Sequence, residues 1–80
     1  MKVNILAFGI ARDILGSSKD DVELQDGSTI GQLKQLLFQK YSKFADLASI
    51  SFAVNEEYQE DDFQLNEDDE VVIIPPVSGG

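Results

Sequence analysis

The sequence predicts an α+β domain in which a mixed sheet wraps around one main helix. Three features carry that prediction: alternating apolar residues near both ends of the chain, one stretch with a three- and four-residue period between them, and a Pro-Pro stop just ahead of two last glycines. Eighty residues suit one domain and are too few for two. With 42% hydrophobic and 26% charged residues the chain has the balance of a folded domain rather than a disordered one.

The elements follow in order. From Lys2 to Phe8, Val3, Ile5 and Ala7 share one face while Leu6 and Phe8 share the other, as in a strand covered on both sides. Gly9 to Leu15 reads as a short helix, ended by the turn cluster Gly16-Ser17-Ser18. Asp20 to Leu24 alternates again, with Val22 and Leu24 together. After Asp26-Gly27 the period changes. Ile30, Leu33, Leu37, Tyr41 and Phe44 recur at helical steps and Leu36 widens the stripe. Thr29 with Gln32 three residues on is a capping-box signature, which sets the start of this helix.

Ile50, Phe52 and Val54 alternate as a third strand, and Asn55-Glu56-Glu57 forms a turn before Tyr58. Phe63 and Leu65 stand between acidic loops, Glu60-Asp61-Asp62 on one side and Asn66 to Glu70 on the other. Glu70 to Ile74 is the last strand, stopped by Pro75-Pro76. Strand, strand, helix, strand, short strand, strand is the order of a β-grasp fold. The division expected is a β-grasp domain over residues 1–76 and a flexible tail over 77–80.

Charge and composition narrow the function. Fifteen acidic against six basic residues give −9, and the single arginine is Arg12. A surface of that sign does not bind nucleic acid, which needs clustered Lys and Arg, and an anionic membrane repels it. The apolar run Val71 to Val77 falls well short of the ~20 residues that span a bilayer, and Met1-Lys2-Val3-Asn4 leads straight into a strand without a signal-peptide core. These features predict a cytoplasmic protein.

Reactive side chains are mostly missing. There is no Cys, His or Trp, hence no thiolate nucleophile, no neutral-pH base and no Cys/His zinc set. No phosphate-binding loop occurs, and the acidic runs lack the central Gly of a calcium loop, so they read as solvated loops. The reactive candidate is the end, Pro75-Pro76-Val77-Ser78-Gly79-Gly80. Proline forces the chain out of the sheet, and four further residues reach roughly 13 Å when extended. Gly79 and Gly80, without side chains, fit a narrow partner channel. The carboxylate of Gly80 becomes electrophilic once adenylated, and a sulfur nucleophile then converts it to a thiocarboxylate.

This ending, preceded by Asp68-Asp69-Glu70-Val71, resembles that of the ubiquitin-like sulfur carriers that serve as small subunits of molybdopterin synthase. Phe8-Gly9-Ile10-Ala11-Arg12-Asp13, Thr29-Ile30 with Leu33, and Ala53-Val54-Asn55-Glu56-Glu57-Tyr58 agree as well, so the likeness spans the chain. The Gly-Gly end alone is shared with thiazole-pathway sulfur carriers and ubiquitin-like protein modifiers, and both remain alternatives. The resemblance implies a non-catalytic, sulfur-donating subunit of a synthase complex. Gly80 would be adenylated by a ubiquitin-activator-like enzyme that uses ATP, loaded by a sulfur donor, and inserted with Gly79, Ser78 and Val77 into the large subunit. There the sulfur would reach cyclic pyranopterin monophosphate to form molybdopterin for the molybdenum cofactor. No cofactor is expected on this chain.

Leu6 with Phe8 and Val72 with Ile74 make the first and last strands apolar on both faces, and part of the second face is expected to meet a partner. Phe8, Tyr58 and Ile74 match positions that resemble the family's partner-facing apolar residues, and Arg12 matches a partner-contacting arginine.

Overall fold

The computed structural model describes residues 1–47 and 49–76. Its elements are β1 (Lys2–Ala7), α1 (Gly9–Leu15), β2 (Lys19–Glu23), α2 (Ile30–Lys40), a 3₁₀ turn (Ser42–Asp46), β3 (Ser51–Val54), β4 (Glu57–Gln59) and β5 (Glu70–Ile74). The sheet runs β2-β1-β5-β3-β4. β1 and β5 are parallel at its centre, and every other pairing is antiparallel. This is the β-grasp arrangement that the element order predicts.

One face of the sheet makes the core. Val3, Ile5 and Ala7 of β1, Val71 and Ile73 of β5, and Phe52 and Val54 of β3 pack with Ile30, Leu33 and Leu37 of α2. Burying such side chains is worth roughly 1.5–3 kcal/mol each, and this sets which face of each strand turns inward. The capping box forms as predicted. The Gln32 backbone N–H donates to the Thr29 hydroxyl at 3.3 Å, and the Thr29 N–H donates to Gln32 Oε1 at 2.8 Å.

The next two donors of α2 are met by the loop before Leu65: Ile30 N–H by the Phe63 carbonyl at 3.0 Å and Gly31 N–H by the Asp61 carbonyl at 2.8 Å. Gly31 permits that approach, because a Cβ there would lie 3.3 Å from the Asp61 oxygen. Lys34 Nζ closes the same contact from the side, 2.9 Å from Asp61 Oδ1.

Several expectations need correction. β1 is covered on one face only, since Asn4 and Leu6 are half-buried while their neighbours are fully buried. Phe8 is not a strand residue but the N-cap of α1. The main helix stops at Lys40: Tyr41, at φ −128° and ψ 89°, leaves helical space, and a 3₁₀ turn swings Phe44 into the core with its ring edge-on to Tyr41 at 6.1 Å. Leu36 does not widen the buried stripe; it is 37% exposed, beside Val22 of β2, where the sheet ends and no further strand covers it.

The acidic run before β5 is not uniformly solvated, because Asp69 is only 9% exposed. Asn55 Nδ2 and the Asn66 N–H donate to its two oxygens at 3.0 and 2.8 Å, which compensates its burial.

The β2 edge is blunted. Ladder bonds Leu24 N–H to Met1 and Ala7 N–H to Ser18 turn the backbone groups of Lys19 and Asp21 outward. Ser17 Oγ donates to the Lys19 carbonyl at 2.7 Å, and the Asp21 N–H donates to Asp20 Oδ1 at 2.9 Å. Local side chains thus occupy two groups that another strand would use.

Candidate functional site

Register pairs place the site. Side chains of residues directly opposite in a ladder share a face. Leu6 pairs with Val72, Val72 with Ala53, and Ala53 with Tyr58, so these four form a row across the sheet face opposite α2. The next row towards the end of β5 holds Ile74 opposite Ser51. Ala7 pairs with Ile73, and Phe8, still extended at φ −133° and ψ 159°, is the next residue on β1's side of that ladder.

Exposure sorts the predicted partner residues. Tyr58 is 72% and Phe8 58% exposed, whereas Ile74 is half-buried. All three belong to the uncovered side or its margin, and none is part of the buried core cluster. Arg12 lies exposed in the last turn of α1, with no carboxylate in ion-pair range among the described residues.

Two further apolar residues were not singled out by the sequence pattern. Ile10 in α1 is 46% exposed, and Ala53 joins the open-face row between Val72 and Tyr58. The signal for Ala53 was present, since a two-residue turn at Asn55-Glu56 fixes Tyr58 opposite Ala53.

β5 is the strand that leads to the tail. It is hydrogen-bonded on both sides, to β1 and β3, and ends at Ile74. Pro75 and Pro76 follow, half-buried and without an N–H to continue either ladder. Val77, Ser78, Gly79 and Gly80, the predicted inserting and sulfur-bearing residues, lie outside the described residues.

Among the described residues no set of three or more acidic side chains is grouped to hold a metal ion. No helix among them is long and apolar enough to cross a membrane. The candidate site is thus the half-covered sheet face beside the exit of β5.

The ThiS family model matches residues 5–80. The molybdopterin synthase sulfur carrier subunit of Mycobacterium tuberculosis is 37% identical, covering 100% of this chain and 99% of its own. Among solved structures, a Pyrococcus furiosus protein described as molybdopterin converting factor, subunit 1, superposes with TM-score 0.88 at 27% identity, covering 96% of this chain and 99% of that one. A chain in the complex of subunits 1 and 2 of molybdopterin-converting factor from Helicobacter pylori shares the fold, with TM-score 0.69 at 22% identity and full coverage of both. With the match running from the middle of β1 through the Gly-Gly end, the chain belongs to the ThiS family.

Proposed function

We propose that this protein is the sulfur carrier subunit of a molybdopterin synthase. The observation that carries the reading is the end-to-end match to a sulfur carrier subunit of that name, over a span that includes Gly79 and Gly80. The absence of Cys and His agrees with it, because a carrier that holds sulfur on its terminal carboxyl needs no side-chain catalyst.

In this reading the Gly80 carboxylate attacks ATP on an adenylating enzyme, giving an acyl adenylate and pyrophosphate. Sulfur at the sulfide level, from a donor, then displaces AMP and leaves the thiocarboxylate. The large subunit takes up Val77, Ser78, Gly79 and Gly80; the sulfur bonds to cyclic pyranopterin monophosphate, and water then cleaves its bond to the Gly80 carbonyl, supplying the oxygen that returns Gly80 to a carboxylate. Phe8, Tyr58, Ile74 and Arg12 meet the partner together with Leu6 and Val72. The chain binds no cofactor of its own, and ATP belongs to the activating enzyme. In this reading the protein works in the cytoplasm beside its enzymes.

The test is to supply thiocarboxylated protein to a molybdopterin synthase large subunit and to a thiazole synthase. Consumption by the first, with molybdopterin formed, is the expected result. Consumption by the thiazole synthase alone, or high-mass adducts on substrate lysines that vanish when Gly80 is deleted, would replace the reading with one of its alternatives.

A further inference from the structure

β5 lies between two ladders, parallel to β1 and antiparallel to β3, so its backbone groups turn alternately to one and the other. Glu70 shows the alternation. Its carbonyl accepts from the Asn55 N–H at 2.9 Å and its N–H donates to Asn55 Oδ1 at 3.1 Å, both on the β3 side, whereas the Asp69 carbonyl accepts from the Asn4 N–H at 2.9 Å on the β1 side. Even-numbered residues of β5 therefore address β3, and odd-numbered residues address β1.

That parity gives the two prolines different neighbours. Ala7 is opposite Ile73, so the next donor towards β1 belongs to position 75 and would meet the Phe8 carbonyl. Ser51 is opposite Ile74, so the next donor towards β3 belongs to position 76 and would meet the Ser49 carbonyl. Pro75 and Pro76, both half-buried, supply neither. One proline stands at the end of each ladder.

The two ends are not equally open. The Phe8 carbonyl is already taken by the Ala11 and Arg12 N–H groups, at 3.1 and 3.4 Å, where α1 begins. The β1 ladder thus ends without help from Pro75. The Ser49 carbonyl accepts no backbone hydrogen bond among the described residues, and Ser49 is exposed. β3 is the strand along which β5 could grow.

We infer that Pro76 is a strand stop that serves delivery: by withholding the donor that Ser49 would accept, it keeps β5 from lengthening along β3 and leaves residues 77–80 to the partner. The inference rests on the sulfur-carrier reading for the use made of those residues, and it makes Pro76 a positioning residue that acts through the strand. A ladder bond that must break before the tail enters the large subunit competes with docking. One net hydrogen bond weakens apparent affinity about two- to tenfold and has no effect once the large subunit is saturating.

The experiment compares the full chain as wild type, Pro75→Ala, Pro76→Ala and a chemically synthesised form with N-methylalanine in place of Pro76, which has neither the ring nor the donor. Both prolines lie outside the core cluster, so all four should share one circular dichroism spectrum and melt cooperatively. Amide hydrogen exchange reads the ladder: the new N–H at position 76 should be protected, and the new N–H at position 75 should exchange freely. Single-turnover sulfur transfer from thiocarboxylated protein, titrated with the molybdopterin synthase large subunit of the same organism, reads delivery. Pro76→Ala should raise the half-saturating concentration about two- to tenfold at an unchanged maximal rate, whereas Pro75→Ala and the N-methylalanine form should behave as wild type does.

Free exchange at position 76, or an unchanged half-saturating concentration in Pro76→Ala, would overturn the strand stop and leave the carrier reading standing. An equal loss in the N-methylalanine form would assign the effect to the proline ring instead of the missing donor, and overturn it as well. Protection at position 75 would overturn the assignment to Pro76 alone. Wild-type protein that transfers no sulfur to the large subunit would overturn the carrier reading and the delivery role together, while exchange at position 76 would still decide whether Pro76 closes the β3 ladder.

Discussion

Asn55 donates through Nδ2 to Asp69 Oδ1 at 3.0 Å, and this bond joins the β3–β4 turn to the loop that starts β5. At φ +50° Asn55 has left strand geometry, yet its N–H and its Oδ1 bond Glu70 on both backbone atoms, continuing the β3–β5 ladder one residue beyond Val54 and Val71. Replacing Asn55 with Ala leaves the mostly buried Asp69 carboxylate short of a donor, while water can replace the amide at the exposed Glu70 N–H. Loss of a buried hydrogen bond that strands its partner costs about 1–3 kcal/mol, so Asn55→Ala should lower the urea midpoint with little change in slope.

The residue after it predicts the opposite sign. Glu56 sits at φ +76°, a left-handed conformation that costs an L-residue about 1–2 kcal/mol and glycine little. Glycine adds chain entropy to the unfolded state, so the net gain is smaller. Glu56→Gly should stabilise the domain by roughly 0.5–1 kcal/mol, read as a higher melting temperature.

At the start of α2, Thr29→Ala removes the hydroxyl that accepts from the Gln32 N–H and breaks the reciprocal box. An N-cap of this kind is worth about 1 kcal/mol. Chemical denaturation should show that loss, and Thr29→Ser should restore most of it.

On the open face, Ile74→Asp tests docking apart from folding. Ile74 is half-buried and lies outside the core cluster, so the isolated variant should keep its circular dichroism and cooperative melting. Burying an isoleucine against a partner is worth roughly 1.5–3 kcal/mol, so affinity for the large subunit should fall at least tenfold. A new charge in a chain at −9 should also slow association with a basic partner.

Deleting Gly80 should leave the melting temperature unchanged, since the core cluster of the described residues is built between Val3 and Ile73 and a last residue seldom contributes to stability. Intact mass after co-expression with an activating enzyme and sulfur donor should show the exchange of one oxygen for sulfur in wild type. The deletion should show none.

Burial imposes periodicity on short elements, and for that reason much of this protein is legible in its sequence. Val3, Ile5 and Ala7 announce one face of β1, Thr29 with Gln32 announces the start of α2, and Pro75-Pro76 announces the end of β5. Those signals are local, so sequence alone determined the element order, the fold class, the overall charge and the Gly-Gly candidate. What tertiary structure decided depends on pairing between distant segments, which periodicity does not encode. Leu6 and Val72 read as an apolar strand face that could equally have been covered, and only the sheet order, with α2 on the other side, leaves them open. Asp69 reads along the chain as one more solvated acid, and it is the turn at Asn55, 14 residues away, that closes over it. Asp21, Asn4 and Glu70 lie side by side across three strands, β1 and β5 in parallel register, and no window along the chain brings those residues together.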